Sequence, residues 1–292
     1  PAAASPVPKD LSQETSKPPP LDRAAARATY PWLDDPGALE PVDRLRDRFP
    51  PPPGLRRRDA ADGTFAAYLR DLPLAAAGTP VRSFAGATIL AGDHPNLAAV
   101  VAIDVGDGDL QQCADSIIRL HAEWLFTAGR DAQSYKSASG LAMPFRRYLA
   151  GDRLVYQDKA LTWEKKKGPQ ARTHALLRAY LRGVFAWANT ASLAQEAAKV
   201  ERDDLRAGDF FVLGGFPGHA VLVLDVAEAD DGRRALLLGQ GYLPAQSFHV
   251  LRPGPGQSPW FVVDPAAGGI KTPFWETFPW SSIRRLDRDD AR

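Results

Sequence analysis

Beyond Gly208 the sequence breaks into five short apolar runs, FFVLGG, HAVLVLDVA, RALLLGQGYL, SFHVLRP and PWFVVD, separated by turn-rich pieces such as EADDGR. Short runs of this kind, rich in β-branched and aromatic residues, specify a small antiparallel sheet, and HAVLVLDVA with RALLLGQGYL predicts a hairpin about Asp230 to Gly232. The half before Gly208 reads differently. TFAAYLRDLPL puts Phe65, Tyr68, Leu69 and Leu72 on one helical face, and ALEPVDRLRDRF predicts a short helix stopped by the prolines at 50–53. LAAVVAIDV at 97–105 predicts a buried strand. Residues 171–200 predict two helices broken near Asn189, the second capped by Thr190 or Ser192. SGLAMPFRRYLAGDRLVY supports neither helix nor strand clearly. Helices followed by strands predict an α+β fold.

Residues 1–29 are rich in Pro and Ala with almost nothing to bury, and read as a disordered tether. Residues 30–292 are expected to form a single domain, with 30–105 an N-terminal elaboration and 106–292 the core. A tether of this composition suits a chain that follows a signal peptide or a lipid-carrying cysteine upstream of residue 1. The expectation is therefore an exported protein of the periplasm or outer envelope. No apolar stretch approaches the ~18–20 residues that span a bilayer. With 36 Lys plus Arg against 35 Asp plus Glu, the net charge of +1 gives no reason to expect a nucleic-acid partner. RLRDRF and GLRRRD, with their interleaved acids, read as solvated faces. One cysteine excludes an intrachain disulfide and a CxxC metal site. GDGD at 106–109 lacks the remaining ligands of a calcium loop, so no metal and no cofactor are expected.

That cysteine, Cys113, stands in GDLQQCADSIIRLHAEW. Asp109 and Gln112 have capping-box spacing, which makes Leu110 the first helical residue and puts Cys113 in the first turn. Cys113, Ile117, Leu120 and Trp124 then share the packed face, and the open helix end favours a thiolate, which Asp109 and Asp115 partly oppose. A small buried hydrophobe is the competing reading. A nucleophile needs a base. His121 lies ~12 Å further along the same helix, out of reach; His94 and His174 read as structural or solvated. His219 opens a strand after a Gly-rich bend, where alternation places it on a face with Val221 and Val223, an imidazole at the rim of an apolar surface.

The pattern of a basic residue before Gly-Asp, an apolar strand, Gly-His and a second apolar strand resembles the centre of NlpC-type cell-wall peptidases and CHAP amidases of the papain-like superfamily. The resemblance implies a papain-like core in which a helix-start cysteine faces a strand histidine, roles that fall on Cys113 and His219. Two departures stand out: QQCADS replaces the usual Asp-Cys-Ser-Gly, and 219 − 113 = 106 residues separate the pair. Over a longer span, RFPPPPGLRR, TFAAYLRDLPL, LQQCADSIIRLHAEWL, GDFFVLGGFPGHAVLVLD, GQGYLPAQSFHVL and TPFWE are similar to the bacterial family numbered 4846 among domains of unknown function.

If the hairpin forms, Gln240 returns beside His219, where its carbonyl can accept the Nδ1 proton and fix the tautomer. His249 and Gln246 are the substitutes under a register slip. The Cys113 backbone N–H with the side chain of Gln111 or Gln112 can hold an oxyanion. Of Trp260, Trp275 and Trp280, expected mainly to close the core, one can line a groove. The expected function is a cysteine amidase or peptidase acting on a peptide or peptidoglycan-like substrate. The alternatives are a non-catalytic envelope binding or scaffolding module and a thiol acyltransferase.

Overall fold

The computed structural model describes residues 21–286. One antiparallel sheet gathers nine strands, numbered in chain order: β1 (Arg56–Arg57), β2 (Leu97–Val100), β3 (Ala198–Lys199), β4 (Phe210–Leu213), β5 (His219–Glu228), β6 (Arg234–Gln240), β7 (His249–Leu251), β8 (Trp260–Val262) and β9 (Ile283–Arg285). The spatial order is β3-β9-β4-β5-β6-β7-β2, with β8 pairing β6 and β1 pairing β5. The five apolar runs are β4 to β8, and the β5–β6 turn falls at residues 229–233, where the amide of Ala229 bonds the carbonyl of Arg233.

Helices flank the sheet: α1 (Arg23–Thr29), α2 (Leu45–Arg48), α3 (Phe65–Arg70), α4 (Cys113–Thr127), α5 (Phe145–Leu149), α6 (His174–Phe185) and α7 (Thr190–Glu196). The break in the long helical segment is where the sequence places it, but Asn189 is the cap, its side chain accepting from the Ser192 amide at 2.9 Å. Residues 23–29, assigned to the tether, instead form α1: Asp22 accepts from the amides of Ala24 and Ala25, and the alanines that offered little to bury are good helix formers. The rest of the expected tether, 1–20, lies outside the described residues.

Strand β5 is buried on both faces, which explains its unbroken apolar run. Ala220, Leu222, Leu224 and Ala227 pack with α3, α4 and α6 in the larger core; Val221, Val223 and Val226 pack with Leu205, Phe211, Phe278 and Ile283 in a smaller one. The parity changes because a bulge falls between Val223 and Asp225. Asp225 is fully buried and clamped by Arg57 Nε at 2.6 Å and Arg70 at 2.8 Å. Arg57, read as part of a solvated face, is thus four-fifths buried, because its guanidinium, with that of Arg70, pairs the buried carboxylate.

The segment 30–105, expected as an elaboration, supplies β1 and β2 and is tied to α4 by buried charge. Fully buried Arg119 bonds Glu123 (2.6 Å), Gln111 (3.0 Å) and Asp104 (3.0 Å), with Asp35 at 3.4 Å. Arg178 bridges Asp35 and Asp104 from α6. His174 joins through Glu123 at 2.9 Å and Asp35 at 3.3 Å; burial alone would lower its pKa, but these hydrogen bonds push it up to about 9. Of its two readings, the structural one holds.

Candidate active site

Helix α4 begins at Cys113, three residues later than the Asp109–Gln112 spacing predicts. The carboxylate at its start is Asp115, whose Oδ2 accepts the Gln112 amide at 3.2 Å, while Ser116 Oγ donates to the Gln112 carbonyl at 2.7 Å. Asp109 has another role. Its Oδ1 accepts from Gln112 Nε2 (3.1 Å) and from the amide of Ala245 (2.7 Å), tying the helix start to the β6–β7 loop. That loop comes so close that a Cβ on Gly241 would lie 2.2 Å from Ser116 Oγ and 2.9 Å from the Gln112 carbonyl oxygen.

Opposite the helix start stands the first residue of β5. His219 keeps the parity of Val221 and Val223, on the sheet face away from α4, so the thiol and the imidazole reach the end of the sheet from opposite faces. Both line one cleft of about 430 Å³, with Gln112, Asp115, Asn189, Thr190, Tyr242 and Trp275. Among the described hydrogen bonds none joins Sγ to the imidazole. A second cavity of about 400 Å³, lined by Tyr30, Tyr68, Asp71 and Trp124, holds neither a thiol nor an imidazole.

The proton arrangement at His219 follows from a fixed acceptor. His249 Nδ1 lies 3.0 Å from the Ser247 carbonyl, which can only accept, so His249 carries its proton on Nδ1 and presents a lone pair at Nε2. Gln240 Nε2 lies 3.4 Å from that lone pair and donates to it. The other end of the same amide, Oε1, then accepts from His219 Nε2 at 2.8 Å. His219 is therefore protonated on Nε2 with a lone pair on Nδ1, the reverse of the sequence expectation, which gave Gln240 the Nδ1 proton. His249, expected as a substitute for Gln240, extends the same chain instead. Gln246 makes no hydrogen bond to His219, and its Oε1 is buried without a partner.

Burial governs the charge states. It lowers His219 to about 4, against a raising hydrogen bond to Gln240, and lowers fully buried His249 to about 4. The Cys113 thiol is pushed up to about 11 by burial and then by Asp115, with opposing backbone hydrogen bonds from Ala220, Ala114 and its own residue. Thiol and imidazole are both neutral at rest.

Residues 45–285 match the model of a protein family described as a domain of unknown function (4846). The chain belongs to that family. No curated protein matches the chain, and no solved structure does either. The matched region of this member of family 4846 includes Cys113, His219, Gln240 and His249, together with β1 to β9.

Of the two proposed oxyanion glutamines, Gln111 is turned away: it is buried outside the cleft lining, its Nε2 donating to the Asp104 backbone carbonyl at 3.1 Å and its Oε1 accepting from Arg119. Gln112 lines the cleft with one amide hydrogen on Asp109 and a second free to donate. Trp275 is the tryptophan that reaches the site, its ring 5.0 Å from that of His219; Trp260 and Trp280 pack elsewhere. Sequence reasoning missed Tyr242, edge-on to His219 at 4.7 Å; Asp115, expected with Asp109 to oppose a thiolate at the helix start, does oppose it, and burial raises its own carboxyl well above the usual carboxylate range. The GYLP and CADS stretches that carry them adjoin the named residues, but nothing local marks either side chain as facing the cleft.

Proposed function

We propose that the protein is an exported cysteine hydrolase of amide bonds, built on a papain-like arrangement and acting on peptides or peptidoglycan-like material of the periplasm or outer envelope. The observation that carries the reading is the His219 tautomer: the Ser247–His249–Gln240 chain leaves Nδ1 as a lone pair beside a cleft that also holds the only thiol. In this reading Sγ attacks the substrate carbonyl while Nδ1 takes the thiol proton. The thiolate and imidazolium then formed attract one another in a dry site, which offsets both pKa shifts. The Cys113 N–H, which at the start of α4 donates to no backbone carbonyl of the described residues, and the free hydrogen of Gln112 Nε2 hold the oxyanion. Nδ1–H protonates the leaving amine, and water, giving its proton to Nδ1, releases the acid from the acyl-enzyme.

The neutral resting pair favours a second reading, a peptide-binding module of the envelope that does not turn over. Incubation with p-nitrophenyl acetate followed by intact-mass measurement separates the two. A hydrolase shows one acetyl group on Cys113 that forms and disappears with nitrophenolate release, absent from Cys113→Ser and slowed at least tenfold in His219→Ala. A Cys113 that never acetylates while folded contradicts the hydrolase.

A further inference from the structure

The mouth of the cleft carries two of the most exposed large apolar side chains on the described surface. Phe216, in the β4–β5 loop, is 92% exposed, and Leu243, in the β6–β7 loop, is 62% exposed. Both belong to the cleft lining, with Phe185, Tyr242 and Trp275 further in. The loop under Phe216 is held tightly. A Cβ on Gly218 would lie 2.3 Å from Thr190 Oγ1, and one on Gly214 would lie 3.0 Å from Ala191 Cα. An exposed aromatic ring on a firmly seated loop costs the free protein hydration, which contact with an apolar ligand recovers.

Charge narrows the occupant. Among the described residues lining the cleft there is no Lys or Arg, and His219 is neutral; the titratable acids are Asp109 and Asp115. A carboxylate on a ligand would lose water there and find no cation to replace it, while the free donors, the Cys113 N–H and the second Gln112 hydrogen, are taken by the oxyanion of the bond under attack.

We propose that the cleft takes a peptide whose residues beside the scissile amide are apolar and carry no carboxylate, gripped between Phe216 and Leu243. This rests on the cysteine-hydrolase reading and adds the substrate class to it. Peptides with acidic residues next to the bond are excluded by desolvation, and neutral ones are drawn in by ring contact.

Alkylation of Cys113 at pH 7 by three probes tests it: iodoacetamide, N-benzyl-iodoacetamide and iodoacetate, each rate divided by that with free cysteine. The benzyl probe should run about tenfold ahead of iodoacetamide, with iodoacetate the slowest of the three. In the Phe216→Ser, Leu243→Ser double variant, whose changes are at the surface, the benzyl advantage should fall to about one. Equal normalised rates in the native protein, or iodoacetate fastest, overturn the substrate class while leaving the hydrolase standing. A Cys113 inert to all three probes in the folded protein overturns both.

Discussion

His219 Nε2 donates to Gln240 Oε1 across 2.8 Å, and the other end of that amide donates to His249. Because one glutamine joins two histidines, its substitution acts on the tautomer of His219 rather than on bulk. Gln240→Glu keeps an acceptor for Nε2–H but adds negative charge, so it should raise the His219 pKa from about 4 towards the usual value. The acid limb of the acylation rate then moves to higher pH, which a pH–rate profile reads directly. Gln240→Leu removes the acceptor, and should lower the rate at pH 7 by about tenfold or more with little change in helix content by circular dichroism.

Asp115 adds to the burial that raises the Cys113 thiol. Asp115→Asn keeps a side-chain oxygen for the Gln112 amide but cannot ionise. The thiol midpoint, followed by thiolate absorbance in the ultraviolet, should move down from about 11, and alkylation at pH 9 should accelerate.

Arg119 is the hub of the charge cluster between the N-terminal segment and α4. Arg119→Met leaves Glu123 and Asp104 buried with fewer partners and should cost about 3–5 kcal/mol in denaturant unfolding. The exposed pair Arg56–Asp230 is the control: solvent screens it, so Arg56→Ala should leave the denaturant midpoint essentially where it is.

Four groups with large shifts set opposing slopes of stability with pH. His219 and His249, depressed to about 4, stay neutral in the folded protein where the unfolded chain takes up protons, so their contribution is lost as pH falls from 6.5 through 4. Glu196, raised to about 7 by burial, acts oppositely, losing its contribution as pH rises from 4.5 through 7, and offsets part of that gain. His174, raised to about 9, contributes fully below 6.5 and loses it as pH rises through 9. Urea midpoints should show an acid slope that flattens in His249→Phe and an alkaline slope that flattens in His174→Gln.

The strands β4 to β8 were legible because each is a short apolar run between turn residues, and the periodicity of Phe65, Tyr68 and Leu69 gave α3. The hairpin of Asp152–Gln157 with Ala160–Lys165 was not, because its turn puts Asp158 and Lys159 at positive φ without the Asn-Gly or Asp-Gly that marks such turns. Cys113 and His219 could be named from the helix start and the Gly-His strand start, and Gln240 from hairpin register. The nitrogen that Gln240 holds could not, since it follows from a Ser247 carbonyl seven residues further on. The loss of Gln111 to Arg119 was equally hidden, because local pattern does not show which buried charge an uncharged side chain will satisfy.

The central claim, that His219 Nδ1 serves the Cys113 thiol as base, is tested most directly by the pH dependence of iodoacetamide alkylation at Cys113 in the native protein and in His219→Ala, each site-mapped by peptide mass. The native rate should be at least tenfold above that of the variant at pH 7, with an acid limb near 4, while the variant climbs about tenfold per pH unit towards its thiol ionisation near 11. Superimposable profiles for the two proteins would contradict it.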